Sequence, residues 1–270
     1  MSTGVRAGRG LASRLALLLL GLLVLLPPLA VMLYAFSERW DRSLWPEGAT
    51  LQWLAEVAAL PRVRAAVGQT LWLSGVCALL ALLLGGTASL LARLAAPRLL
   101  ALLDALALLP YAIPPVVVAI GALELFVGQW GGWLDLRLVY VAVATPLLFP
   151  LMHKTLGAAL EQLDVQPLLE AGRTLGASDL HLLRRVLLPL LAPALAAGLL
   201  LCWVTAAMEF AIANLLLGGS VEMLQPLLNG LRGVNGHQSA ALVVMSLAVV
   251  TALGIGVEGW MAWNARRNSW

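Results

Sequence analysis

The sequence predicts an all-α membrane protein that crosses a bilayer about six times. Of its 270 residues 61% are hydrophobic and 11% charged, with a mean hydropathy of +0.92. Soluble domains hold about a quarter charged residues. The apolar residues fall in Leu/Ala-rich runs of about 20, the length a helix needs to cross the hydrocarbon core. A transmembrane β-barrel would instead show alternating segments of about ten residues, and these runs do not alternate.

The first span, 12–36, begins LASRLALLLLGLLVLLPPLAV. Arg6, Arg9 and Arg14 ahead of an apolar stretch also fit a secretory leader. The stretch, however, outruns the roughly 7–15 residues of a leader core, and no A-x-A-like site follows, so it is read as retained. The remaining spans are expected at 69–93, 99–127, 137–157, 186–216 and 239–263, in one membrane domain covering 1–270. Between the first two lies a long loop, 37–68, whose Trp40, Trp45 and Trp53 suit a headgroup layer and whose piece 50–59 suits a short surface helix. The second long loop, 158–185, is the polar interruption EAGRTLGASDLHLLRRVLLP with its flanks.

Charge sets the orientation. With the N-terminus inside, Arg6, Arg9, Arg14, Arg93, Arg98, Lys154, Arg173, Arg184, Arg185, Arg266 and Arg267 fall inside. Only Arg39, Arg42, Arg62, Arg64, Arg137 and Arg232 fall outside, where Glu38, Asp41, Glu47, Glu56, Asp135 and Glu222 match them. The excess of Lys and Arg inside places both termini in the cytoplasm. The net charge of +3 is therefore a topology signal, and nucleic acid is not needed to explain it.

Local chemistry shapes the 158–185 loop. Pro167 suits a first helical turn, where its missing N–H costs nothing, and Glu170 suits the acidic start of a helix. Leu168, Leu169 and Leu175 are expected to form its apolar edge. Gly176 suits the left-handed residue that closes a helix. Ser178 and Asp179 suit the N-cap and first turn of a second helix, DLHLLRRVLL, which enters the fifth span ahead of Pro189 and Pro193. The result is either a solvated connector or a handle for another protein.

The stretch resembles the cytoplasmic signature of permease subunits of binding-protein-dependent ABC importers, the MetI-like family. Its pattern is Glu-Ala-Ala, three residues, Gly, nine residues, Ile, any residue, Leu-Pro. Here Glu170, Ala171, Gly172, Gly176, Val186, Leu187, Leu188 and Pro189 keep the spacing. Two positions depart: Gly172 stands for the second Ala and Val186 for Ile. Gly172 is expected to loosen its helix by roughly 1 kcal/mol relative to Ala. The placement between the fourth and fifth spans also fits, as do the broken third span LLPYAIPP and the short helix in the 37–68 loop.

The resemblance implies a permease that binds no ATP and no cofactor. It implies ATP-binding cassette subunits docking beneath, a second permease subunit (the same chain or a sibling) beside it, and an extracytoplasmic substrate-binding protein. By the same resemblance Glu170, Ala171 and Gly176, with Gly172 and Arg173 between them, belong to the coupling contact. The 37–68 loop and the fifth-span stretch are similar to permeases of the polyamine, ferric iron, phosphonate and molybdate/sulfate groups.

Other residues remain open. Pro110, Pro114 and Pro115 in the third span, and Pro146 and Pro150 in the fourth, kink helices either for packing or to line a path. Glu124, Glu209 and Glu258 lie in or near apolar runs, where a carboxylate faces a bundle interior or cavity. Glu209 is read as standing within the fifth span, either on the path or making a structural hydrogen bond. Asn214 lies about 140° round the helix from it. Pro114, Pro115, Glu124, Glu209 and Asn214 are thus the candidate pathway residues. Asp104 is expected to meet an arginine such as Arg98.

Competing functions find less support. The sole lysine is Lys154, so a Gly-x-x-x-x-Gly-Lys-Ser/Thr loop is absent. GIGVEG at 254–259 matches a dinucleotide fingerprint but lies in an apolar span with no strand before it. His153, His181 and His237 are read as scattered over two loops, unlike a metal set, and Cys77 and Cys202 as small buried residues. An intramembrane enzyme lacks the paired carboxylates it needs. The alternative is an ion-coupled carrier using Glu124 and Glu209, a class that often shows inverted repeats; none is visible here.

Overall fold

A computed structural model describes residues 3–94, 96–129, 133–163, 165–218 and 220–267; the side chains of 3–12, 264, 265 and 267, which include Arg6, Arg9 and Arg267 of the charge count, lie outside the described residues. The helices are α1 (Thr3–Phe36), α2 (Gln52–Ala59), α3 (Pro61–Leu94), α4 (Pro97–Ala112), α5 (Pro115–Gln129), α6 (Leu136–Gln162), α7 (Val165–Thr174), α8 (Asp179–Ala207), α9 (211–217), α10 (Leu224–Arg232) and α11 (Gly236–Arg267). Among the described residues no strand forms beyond the bridge between Arg39 and Glu47. Five helices are long and apolar enough to cross a membrane, and six spans result if α4 and α5 count as one. The molecule is an all-α, multi-pass membrane protein.

Several boundaries differ from expectation. The second span begins at Pro61, eight residues early, because proline suits a first helical turn and Leu60 before it is extended. The third span is bent by 85° between α4 and α5. Pro114 there is extended (φ −58°, ψ 135°), the conformation that a following proline favours. Pro146 and Pro150, by contrast, do not break α6, which runs unbroken for 27 residues. The polar helix after Ser178 and the fifth span are one helix, which ends at Ala207 rather than continuing to 216.

The chain divides into two compact units. Residues 1–61 with 228–249 form one. In it residues 13–33 of α1 include no buried side chain: Leu17, Leu18 and Leu23 are all about 70% exposed, as suits a helix whose solvent is lipid. The His237 ring stacks between Tyr34 (4.0 Å) and Trp53 (5.1 Å), and Trp53 Nε1 donates to the Ser37 carbonyl at 2.9 Å.

Residues 62–227 with 250–270 form the other unit. Its main core joins Cys77, Ala78 and Ala81 of α3 to Tyr140, Ala144, Leu148 and Met152 of α6, Cys202 and Ala206 of α8, and Leu216 and Leu217 of α9. Small residues at these crossings let helix backbones approach, which is how helices associate where lipid removes the hydrophobic drive. A second cluster joins Leu156 and Leu160 of α6 to Val165 and Leu169 of α7 and to Leu182, Leu187 and Leu191 of α8. It seats the loop between the fourth and fifth spans. Beside it Arg93 at the end of α3 pairs with Glu161 at the end of α6 (3.0 Å).

Candidate functional site

The 158–185 loop is a helical hairpin closed by backbone bonds. The Gly176 N–H donates to the Arg173 carbonyl at 2.9 Å and the Ala177 N–H to the Gly172 carbonyl at 3.0 Å, the pair of bonds that ends a helix in a Schellman motif. That motif needs a left-handed residue, and Gly176 has φ +82°. Ser178 follows with an extended backbone, its Oγ accepting from the His181 N–H at 3.4 Å. Across the turn Arg173 Nε donates to Asp179 at 2.8 Å. That hydrogen bond, with the carboxylate's charge, raises the Arg173 guanidinium above its ordinary range.

Gly172 has a packing reason. A Cβ built there would run into the Leu182 methyl groups, so an alanine would require that leucine side chain to shift. The expected loosening of α7 is the cost of that approach.

The apolar edge of α7 differs from expectation. Val165 and Leu169 are buried, each 6% exposed, but Leu168 is 42% and Leu175 88% exposed. Leu175 cannot turn inward because it sits at the helix C-cap, before the left-handed glycine. Glu170, Ala171, Arg173 and Gly176 are exposed as well, so the hairpin presents Leu168, Leu175 and these residues together on its outer side.

The candidate pathway residues separate. Pro114 and Pro115 form the 85° bend and are exposed. Glu124, in the last turns of α5, is exposed, as is Asn214 in α9. Glu209 is not within a span: it lies in the break between α8 and α9. Its carboxylate accepts from the Ile212 N–H (2.9 and 3.0 Å to its two oxygens) and from the Ala213 N–H (3.0 Å). It caps α9, satisfying the orphan donors of a helix start and complementing its dipole. With both oxygens so engaged, an ion relay from Glu124 through Glu209 gains no support.

One cluster escaped sequence reasoning. Asp104 of α4 meets Lys154 and His153 of α6, not Arg98: its Oδ1 is 2.7 Å from Lys154 Nζ and 3.1 Å from His153 Nε2. His153 lies in α6 rather than in a loop and is fully buried. Its Nδ1 is 2.7 Å from Ser89 Oγ of α3, and its ring stacks on Phe149. The adjacent His153–Lys154 in an apolar run was the available signal; the identity of their partner was not in it. Cys77 and Cys202 are buried and free, as expected.

A broken span, a bundle of small-residue crossings and an exposed helical hairpin are the fold of a membrane transport subunit. A chain from a bacterial ABC transporter involved in import of the acidic polysaccharide alginate shares it over 98% of this chain and 97% of that one (TM-score 0.70, 16% identity). So does a chain of the MetNI methionine ABC transporter, over 75% and 95% (TM-score 0.62, 18% identity). Residues 79–270 match the family of binding-protein-dependent transport system inner membrane components, and the chain belongs to that family: it is a permease subunit of an ABC importer. Among its relatives, the sulfate transport system permease protein CysT of Salmonella typhimurium is 31% identical over 70% of this chain and 68% of that protein. The putrescine transport system permease protein PotI of Escherichia coli is 27% identical over 93% and 89%.

Proposed function

We propose that this chain pairs with a second permease subunit, the same chain or a sibling, to enclose the translocation pathway for a small solute. Cytoplasmic ATP-binding cassette subunits drive it through α7 and its glycine turn. The observation that carries this reading is the outward set of Glu170, Ala171, Arg173, Leu175 and Gly176 on a hairpin clamped from within by Gly172, Leu169 and Leu182. A leucine 88% exposed beside an ion pair, at an end too polar for lipid, suits a protein groove.

The bend at Pro114 and Pro115, exposed Glu124 and Asn214, and the Glu209 cap that orients α9 are the parts we assign to the pathway. The excess of Lys and Arg on the α7 side supports a cytoplasmic location for that hairpin and for both termini. An extracytoplasmic binding protein delivers the cargo, in keeping with the alginate transporter solved with its pentasaccharide-bound periplasmic protein. The relatives transport solutes of opposite charge, sulfate and putrescine. The cargo is accordingly a small solute in the polyamine, ferric iron, phosphonate or molybdate/sulfate range.

Purification of the complex tests the assignment. A nucleotide-binding subunit is expected to accompany the chain, and uptake into proteoliposomes to require both ATP and a binding protein. Uptake that persists without ATP, by a chain that brings down no such subunit, would overturn it.

A further inference from the structure

We propose that Asp104 is a positioning residue for transport: held by Lys154 and His153, it is the polar tether through which α6, and with it the α7 hairpin, moves the half-span α4. The proposal rests on the reading of α7 as the ATPase contact.

Helix α4 has little else to hold it. Ala107 is its one buried side chain among the described residues, while Leu99, Leu102, Leu108 and Leu109 are each at least 50% exposed. Apolar contact in lipid gives no hydrophobic drive, so a polar bond weighs more in fixing such a helix. Asp104 supplies two, both charge-assisted from the carboxylate side.

The donors are themselves fixed. His153 is fully buried, Ser89 holds its Nδ1 from α3, and Phe149, one turn earlier on α6, covers its ring. Ser89 Oγ also lies 2.7 Å from the Gly85 carbonyl. Whichever of these the serine hydroxyl donates to, a carboxylate at Nε2 requires the proton on Nε2, so His153 is a donor aimed at Asp104 in either case. Removing the carboxylate leaves that buried N–H without its acceptor, whereas moving α6 draws the carboxylate along.

The linkage to the hairpin is short. From Lys154 to the end of α6 at Gln162 is eight residues, about 12 Å of rigid helix, and α7 begins at Val165. At its other end α4 runs into the 85° bend at Pro114. A push on α7 therefore reaches the bend through α6, one ion pair and α4.

The test uses the assembled complex with its ATPase, second permease and loaded binding protein, in proteoliposomes. The readout is solute taken up per ATP hydrolysed. Asp104→Asn keeps an acceptor oxygen but removes the charge that strengthens both bonds, and is expected to lower that ratio by about tenfold, the size of losing the charge assistance of two hydrogen bonds, while the ATPase still co-purifies and still hydrolyses. Asp104→Glu, which keeps the carboxylate, is expected to recover part of it. Lys154→Met, at a side chain 64% exposed and so harmless to folding, is expected to fall between. An unchanged ratio in both Asp104→Asn and Lys154→Met overturns the tether. Should Asp104→Asn fail to assemble, the Lys154→Met ratio decides alone. Failure of the ATPase to accompany the wild-type chain would instead strike the hairpin reading, so the two failures are distinct.

Discussion

Glu209 reads from sequence as an intramembrane carboxylate and from structure as a helix cap. Its two oxygens take three backbone N–H bonds from Ile212 and Ala213. The cap predicts a split between two substitutions. Glu209→Ala should destabilise the assembled protein by about 0.5–2 kcal/mol, the range for losing an N-cap acceptor, visible as a lower melting temperature. Glu209→Gln keeps an acceptor oxygen and should leave melting and uptake near wild type. A loss of uptake in Glu209→Gln at unchanged melting would place the charge itself on the pathway. Asp104 teaches a similar lesson: its charge was visible, but the choice between Arg98 and the Lys154–His153 pair depended on which helix lay beside it.

At the scale of the element, the hairpin of α7 and the start of α8 was largely legible. Gly176 and Ser178 act on backbone within a few residues of themselves, so their type announces their role. Which leucines of α7 face inward was not legible, because the early turn at Gly176 leaves Leu175 outside while Leu182 fills the seat against Gly172. A Cβ at Gly176 would meet nothing within 4 Å, so the demand there is one of backbone alone. Gly176→Val should therefore cost the turn about 1–2 kcal/mol or more and abolish stimulation of ATP hydrolysis by loaded binding protein. Gly176→Asn, which tolerates a left-handed backbone, should retain most of it. Full stimulation in the valine variant would show that the hinge conformation is not needed.

For the whole molecule, the prediction concerns sidedness. On the unequal Lys and Arg distribution, the hairpin is expected in the cytoplasm. A single cysteine at Leu175, in a chain with Cys77 and Cys202 replaced by serine, should react with a membrane-impermeant maleimide in inside-out vesicles and not in right-side-out ones. Saturating the vesicles with the ATPase subunit should then protect it. Labelling from the outer side, or no protection, would remove the basis for ATPase docking at this loop.

By itself the sequence determined the solvent, the number of spans, the polar hairpin and its hinge. Run length, charge count and turn chemistry are local, and lipid leaves an apolar segment of about 20 residues little choice but a helix. Tertiary structure alone decided that Pro114 bends a span while Pro146 and Pro150 do not break theirs, that Glu209 caps a helix, and that Asp104 clasps α6. A proline removes one backbone bond wherever it stands; whether a helix continues past it, and where a carboxylate finds its donors, depends on the neighbouring helices that packing brings up.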